Sequence, residues 1–504
     1  MSLISADHSN HSFTSTSTLV NAISHESTPL LKQHANASAH PDGPLDGPNL
    51  ESDEDADTGR EVEIYTPGKS TFSQTLLNVL GDIIGTGLLA CPIAIAHAGW
   101  ILGPLFLIII GLITLWTLKI LIRIIEKDRR LRNFTDVIGY GLGPKAEKWV
   151  TAFFVFEISV WVVALVVLFS DSIEAVWPVF TSDQWKVIGA IIIIPTSFVP
   201  LRFLSFSSAL GVISTWTLVG ILIFSGIATP HAPGALREPA HTDLLPSHGW
   251  VKLGTVFGLL TAGFGGHALI PNLIRDMKDP KQANRVCEIA YAIAMMVYLM
   301  VAVCGYLMYG TNVSDEISKD LARTPGFSPV LNKLAVLMVA LNPLTKIPLG
   351  LRPLSEITFS YLELHPTVFI ARGCQTPRNI TEPNSPSSTP PVSPSLEPVG
   401  TAGEVQHDRR ERVKSIFRPV IRLVLAVFGV AGALVMPSFE SVLSFSGSLF
   451  AIVMTVLIPV WAGANVFGWK KLDFMICVVS GIVAVVGTVC AFIPGAGPFS
   501  TDQA

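Results

Sequence analysis

The chain alternates between long apolar runs and short polar breaks. A helix that crosses a bilayer needs about 20 mostly apolar residues. About eleven stretches meet that need, near 73–97, 100–123, 149–172, 186–201, 207–229, 251–275, 286–309, 330–350, 416–436, 441–464 and 472–494. The fourth is short and is weakened by Pro195 and Pro200, and the eighth is expected to be interrupted by Pro343 and Pro348. The pattern predicts an all-α polytopic membrane protein. Basic residues set its orientation, because cytosolic loops carry the excess of Lys and Arg. The loop after the second run holds Arg123, Lys127, Arg129, Arg130, Arg132, Lys145 and Lys148. The loop after the sixth holds Arg275, Lys278, Lys281 and Arg285, and the loop after the tenth holds Lys470 and Lys471. The alternate loops are poor in basic residues, so the N-terminus is read as cytosolic and the C-terminus as external.

Three segments lie outside the apolar pattern. Residues 1–69 are rich in Ser, Thr, His, Asn and Asp, with an acidic knot at Glu51-Ser52-Asp53-Glu54-Asp55. That composition buries no core, so a disordered cytosolic tail is expected. No secretory signal is visible, and the first apolar run must itself direct insertion. Residues 364–412 include a Pro- and Ser-rich stretch and read as a disordered cytosolic loop inside a transporter domain of 70–494. Residues 495–504 read as a short non-cytosolic tail.

Composition agrees with this division. Half of the 504 residues are hydrophobic and 14% are charged, where a soluble globular chain carries about 25% charged residues. A formal net charge of -4 gives no basic surface for nucleic acid. The six cysteines form no C-x-x-C pair, and five lie within or beside apolar runs. No metal centre, disulfide framework or cofactor is expected. The chain has no H-E-x-x-H, G-x-S-x-G or Walker signature, which argues against an enzyme and against an ATP-driven pump.

Two apolar runs are broken by glycine. The first contains Gly85-Thr86-Gly87-Leu88-Leu89-Ala90-Cys91-Pro92, and the sixth contains Gly263-Phe264-Gly265-Gly266-His267-Ala268-Leu269-Ile270-Pro271. Within hydrocarbon, unwound backbone is tolerated only where it lines a cavity or packs in protein. The breaks lie five runs apart, an odd number, so the two five-helix halves have opposite orientation. Broken helices at matching positions of inverted halves point to a transport site. Exposed amides at helix starts hold a carboxylate and freed carbonyls hold an ammonium group, the two ends of an α-amino acid. Gly85, Thr86, Gly87, Gly263, Phe264, Gly265 and Gly266 are therefore the candidate substrate-binding residues. The alternative is that small residues only permit close helix packing.

These residues resemble the amino acid/auxin permease family, within the larger group that shares the leucine-transporter fold. Its fungal vacuolar and vesicular inhibitory amino-acid branches are the nearest in pattern. The resemblance runs from about Gly68 to about Ile493. It rests on Gly68-Lys69-Ser70-Thr71-Phe72, the Gly85 to Pro92 segment, Ala98-Gly99-Trp100, Gly265-Gly266-His267 with Pro271-Asn272, Asn342-Pro343-Leu344-Thr345-Lys346, and Phe445-Ser446-Gly447-Ser448. It implies a 5+5 inverted repeat with broken helices one and six, an eleventh helix, and proton-coupled amino-acid transport at an acidic organelle. In one place the chain departs from the pattern. Gly81 stands where family members often carry Asn four residues before the Gly-x-Gly, beside Asp82 and one turn after Asn78.

An ionisable group inside the membrane is a candidate functional residue by default. Asp82 is either a proton carrier or a solvated group at the cytosolic mouth. Glu157 lies midway along the third run, where the resembling branch often has an acid. His267 is either a coupling group or a hydrogen-bonding packing residue. Thr345 and Lys346 lie at the place where, in sodium-coupled relatives, the first and eighth helices hold the ion. The Lys346 ammonium either replaces that ion or snorkels to an interface.

The leading functional reading is a secondary transporter of neutral amino acids, with amino acids and protons as transported species. A transporter-like sensor or scaffold and a sodium-coupled plasma-membrane permease are the alternatives. Glu26-Ser27-Thr28-Pro29-Leu30-Leu31 resembles an acidic dileucine signal, with Glu26, Leu30 and Leu31 offered to a sorting adaptor. Together with the family resemblance it predicts the vacuolar, lysosome-like membrane, with the plasma membrane as the alternative. Asn312 heads the one sequon placed in a non-cytosolic loop, whereas Asn10, Asn36, Asn133 and Asn379 face the cytosol.

Overall fold

The computed structural model describes residues 70–493, except 129–130, 132–133, 197, 199–200, 325–327, 363, 365–401 and 437. Glu26, Leu30 and Leu31, the Pro- and Ser-rich part of the long loop, and the tail 495–504 lie outside the described residues. Within them the regular elements are helices, with one isolated bridge between Ser70 and Met277.

Thr71 starts the first span. Its hydroxyl accepts from the Gln74 amide and its own amide donates to Gln74 Oε1 at 2.9 Å, so two of the free N–H groups at the helix start are satisfied. The helix Phe72–Ile83 is followed by a 3₁₀ turn at Thr86–Ala90 and a long helix at Cys91–Lys127. That long helix turns at Gly99, which has φ 74°. A Cβ there would stand 2.7 Å from the Leu244 carbonyl oxygen, so the bend demands glycine twice over. Nine helices among the described residues are long and apolar enough to span a membrane unaided. The bend at Gly99 divides one of them in two, and Ser182–Thr196 adds a span of 15 residues, giving the eleven of the apolar pattern. At about 1.5 Å per residue that fourth span falls short of the roughly 30 Å hydrocarbon core. The remaining spans are Pro144–Val176, Leu201–Ala228, the broken sixth from Gly249 to Arg275, Ala283–Tyr309, Pro329–Tyr361, Ala402–Val435, the tenth from Phe439 to Phe467, and Lys471–Phe492.

Two expectations are corrected. The eighth span is one continuous helix through Pro343, Pro348 and Pro353. Proline removes a ladder bond, but this helix is held between the third and fifth spans, and Thr345 Oγ1 donates to the Asn342 carbonyl at 2.7 Å. The ninth helix begins at Ala402, so the last part of the 364–412 stretch is helical rather than irregular. The tenth span contains π-helical segments at Ser446–Ala451 and Val453–Leu457, a form common at functional sites.

The first and sixth spans run in opposite directions. Where the first span begins and the sixth ends, Ser70 N–H donates to the Asp276 carbonyl at 2.8 Å, Lys278 N–H donates to the Ser70 carbonyl at 2.9 Å, and Ser70 Oγ donates to Asp276 Oδ2 at 2.8 Å. At the other end, His97 of the first span and Lys252 of the sixth approach Glu440 of the tenth, at 3.6 and 3.3 Å. The inverted relation inferred from the odd number of spans is thus present in the contacts at both faces.

A short helix, Ile317–Arg323, packs against the third and eighth spans. Lys319 Nζ is 2.8 Å from both Asp171 and Asp315 and 3.8 Å from the fully buried Glu316. The clustered carboxylates hold the Lys319 ammonium well above the usual lysine range, and burial raises Glu316. Asp320, accepting from the Ser314 amide and hydroxyl, is pushed up to about 6 by burial. An acid whose folded pKa is raised adds stability that is complete below its unfolded value and is lost as pH rises through the folded value. The stabilising contribution of Asp320 is therefore full below about 3.8 and gone above about 6. The melting temperature should gain from acidification between those limits, and Asp320→Asn should flatten that gain. An unchanged pH slope in the variant would refute this.

Asn312 is exposed, just beyond the end of the seventh span at Tyr309. In a glycosylating host, the expected result is a band shift abolished by Asn312→Gln. Sugar on Asn379 would instead reverse the orientation.

Candidate functional site

The site forms where the two breaks meet. Past Ile83 the first span unwinds through Gly85, and past Gly263 the sixth unwinds through Phe264 and Gly265 before the 3₁₀ turn Gly266–Ala268. The breaks touch backbone to backbone: a Cβ on Gly87 would stand 2.5 Å from the Gly263 Cα. Glycine is needed here for close approach, not for a left-handed dihedral. Gly265 and Gly85 face no opposing backbone so closely. A Cβ at Gly265 meets only the Ala262 carbonyl oxygen at 3.5 Å, and one at Gly85 meets the tip of Lys346 at 3.0 Å.

That second contact locates Lys346. Its ammonium reaches the first break from the eighth span, and Asp82 lies in the last turn of the helix that leads into that break. Asp82 Oδ2 would be 2.7 Å from a Cβ on Gly266, so the acid bears on the sixth-span break. The oxygen is buried and has no hydrogen-bond partner. Asp82 and Lys346 are close enough to act on one another electrostatically. The structure thus gathers Gly85, Gly87, Gly263, Gly266, Asp82 and Lys346 around one junction.

Other candidates are placed differently. Thr86 is buried in the 3₁₀ turn. Phe264 packs its ring against the seventh span, stacked on Tyr291 at 6.0 Å and edge-on to Tyr298 at 5.1 Å. Thr345 faces the fifth span, where a Cβ on Gly211 would be 2.9 Å from its hydroxyl. His267 Nε2 lies 3.1 Å from the Thr114 carbonyl and 3.0 Å from Thr117 Oγ1, which itself donates to that carbonyl. Both neighbours act as acceptors, so the hydrogen sits on Nε2, and the buried Nδ1 is left without a partner. His267 therefore links the sixth span to the second. Glu157 stands on the third-span stripe between Phe153, packed 5.0 Å from the Phe450 ring of the tenth span, and Trp161, packed against Gly350 of the eighth. It is half-buried and does not join the junction of the breaks.

Thr215 and Tyr298 join the site without any signal in the sequence. A cavity of about 10 Å³, room for about one water, is lined by Gly85, Leu88, Leu89, Thr215, Val339 and Asn342 among others. Asn342 donates to Thr215 Oγ1 at 3.0 Å and keeps its buried Oδ1 unpartnered. Tyr298 of the seventh span bonds the Ile83 carbonyl at 2.6 Å and the Gly263 carbonyl at 2.8 Å. The tenth span also closes on the sixth, where Gly258 and Gly447 leave no room for side chains.

Inverted, broken helices meeting at unwound backbone inside a bundle of membrane spans define a membrane carrier rather than an enzyme. The chain belongs to the transmembrane amino acid transporter protein family, whose pattern matches residues 68–497. It is 26% identical over 444 residues to amino acid transporter AVT1E of Arabidopsis thaliana, covering 85% of this chain and 74% of the relative. It is 25% identical over 399 residues to AVT1H of the same plant, covering 77% and 80%. Among solved structures, a sodium-coupled sialic acid symporter aligns with TM-score 0.48 and 12% identity, covering 84% of this chain and 90% of its own. MhsT in complex with L-phenylalanine aligns with TM-score 0.47 and 12% identity, covering 85% and 100%. The protein is a multi-pass membrane protein and a transporter of amino acids.

Proposed function

We propose that the protein couples proton movement to the transport of neutral amino acids across the vacuolar, lysosome-like membrane. The observation that carries the coupling is the placement of Lys346 against the first break at Gly85 and of Asp82 against the sixth-span break at Gly266. A fixed ammonium at the place where sodium-coupled relatives hold their ion leaves no need for sodium, and an unpartnered buried carboxylate beside it is a group able to take up a proton. Neutral substrates fit the apolar side chains around the cavity, Leu88, Leu89, Leu218, Met338 and Val339. The vacuolar assignment rests on the family resemblance and on the motif at Glu26, Leu30 and Leu31. Glu157, one face away, is a second candidate for the proton. The test is purified protein in liposomes with imposed pH or sodium gradients and a panel of labelled amino acids. Uptake driven by the pH gradient supports the reading. Uptake that needs sodium at fixed pH overturns it, as does residence of the tagged protein at the cell surface for the organelle.

A further inference from the structure

Tyr298 has a role of its own at the junction. It is 1% exposed in the seventh span, and its hydroxyl bridges two backbone carbonyls that are distant in sequence, those of Ile83 and Gly263. Both end a helical segment, Phe72–Ile83 and Gly249–Gly263. Carbonyls at a helix end lack an intrahelical donor and carry the negative end of the dipole. Left unpaired in a buried site they are costly, so something must satisfy them in every conformation the carrier visits. With Gly87 against Gly263 and a cavity of only about 10 Å³ beside the break, an amino acid has no room here, and the phenol supplies the donor.

We propose that Tyr298 is a positioning residue whose hydroxyl stands in for the ammonium group of the substrate, holding the two break carbonyls when the site is closed and yielding them when it opens and loads. The chemistry favours the exchange. A phenol has one hydrogen and serves one carbonyl at a time, whereas a primary ammonium has three and serves both. Charge-assisted hydrogen bonds are also about twice as strong as neutral ones. The stand-in has a kinetic purpose. A carrier that must return unloaded needs its breaks satisfied on the way back, whereas a carrier that exchanges one amino acid for another does not. The inference rests on the proposed transport of amino acids and adds the group that permits the unloaded return.

The experiment compares wild type with Tyr298→Phe in proteoliposomes, measuring net uptake into amino-acid-free vesicles and exchange against preloaded amino acid. Net uptake is expected to fall roughly tenfold while exchange stays within about twofold. The half-saturating concentration in exchange is expected to drop roughly three- to tenfold, because a competing hydrogen bond is gone. 4-Aminophenylalanine at position 298, which keeps an N–H donor, should restore net uptake. Equal loss of net uptake and exchange, or weaker binding, would mean that the ring only supports the fold and overturns the proposal. Amide hydrogen exchange in detergent, without amino acid, reads the bridge directly. Segments 83–89 and 263–266 should both exchange faster in Tyr298→Phe, and no change at either overturns the proposal whatever the fluxes. If wild type carries no amino acid at all, the transport reading fails, and the amide measurement still decides the bridge.

Discussion

Replacing Gly87 with alanine will nearly abolish transport, while the same change at Gly265 will be tolerated. A Cβ at Gly87 would lie 2.5 Å from the Gly263 Cα, and backbone on both sides leaves nothing flexible to move. At Gly265 the nearest atom is 3.5 Å away, an ordinary contact. Overpacking of this kind costs roughly 1–3 kcal/mol. If that cost falls on the closed form alone, its population drops about 5- to 150-fold, and every transport cycle passes through closure. Initial uptake rates, normalised to the amount of protein in the membrane, are the measurement. Equal activity of the two variants would mean that the contact between the breaks is not part of the cycle.

The second large effect concerns the charged pair. Lys346→Met should leave the Asp82 carboxylate buried without the neighbouring ammonium that acts on it, and an uncompensated buried charge is strongly destabilising. The expected result is a strong loss of folded protein in the membrane. Adding Asp82→Asn removes the orphaned charge, so the double variant should recover much of the lost amount. Recovered protein should still exchange amino acids but should no longer respond to an imposed pH gradient. Asp82→Asn alone should likewise keep exchange and lose gradient-driven net uptake. If both single variants fold normally and respond to the gradient as wild type does, the pair has no part in coupling, and Glu157→Gln becomes the variant to examine.

The helices were legible in the sequence because nothing else explains unbroken apolar runs of that length. Their antiparallel arrangement was legible because the two Gly-x-Gly breaks are separated by an odd number of spans. What escaped notice has a common cause. The partners of Tyr298 are backbone carbonyls 215 and 35 positions away, so no local spacing marks a lone tyrosine in an apolar run. Gly85 and Gly87 look equivalent as letters, and only the opposing helix makes one tight and the other roomy. Pro343 and Pro348 of the eighth span read locally as breaks, yet the third and fifth spans pack along that helix and it continues through them. Phe264 was legible as part of the break, but the direction of its ring depends on Tyr291 and Tyr298, which lie in another span.

The stitch between the start of the first span and the end of the sixth has a mechanical consequence. Ser70 is bonded through both backbone groups and its hydroxyl to the strip that ends the sixth span, and Thr71 next to it caps the first. A force applied to the chain ahead of Ser70 cannot reach one of these helices without the other. The bridge works as a yoke: tension from an adaptor or any other tether on the preceding 69 residues would arrive at the inner ends of both moving arms together. A load that parts the yoke would release these two helix ends from one another.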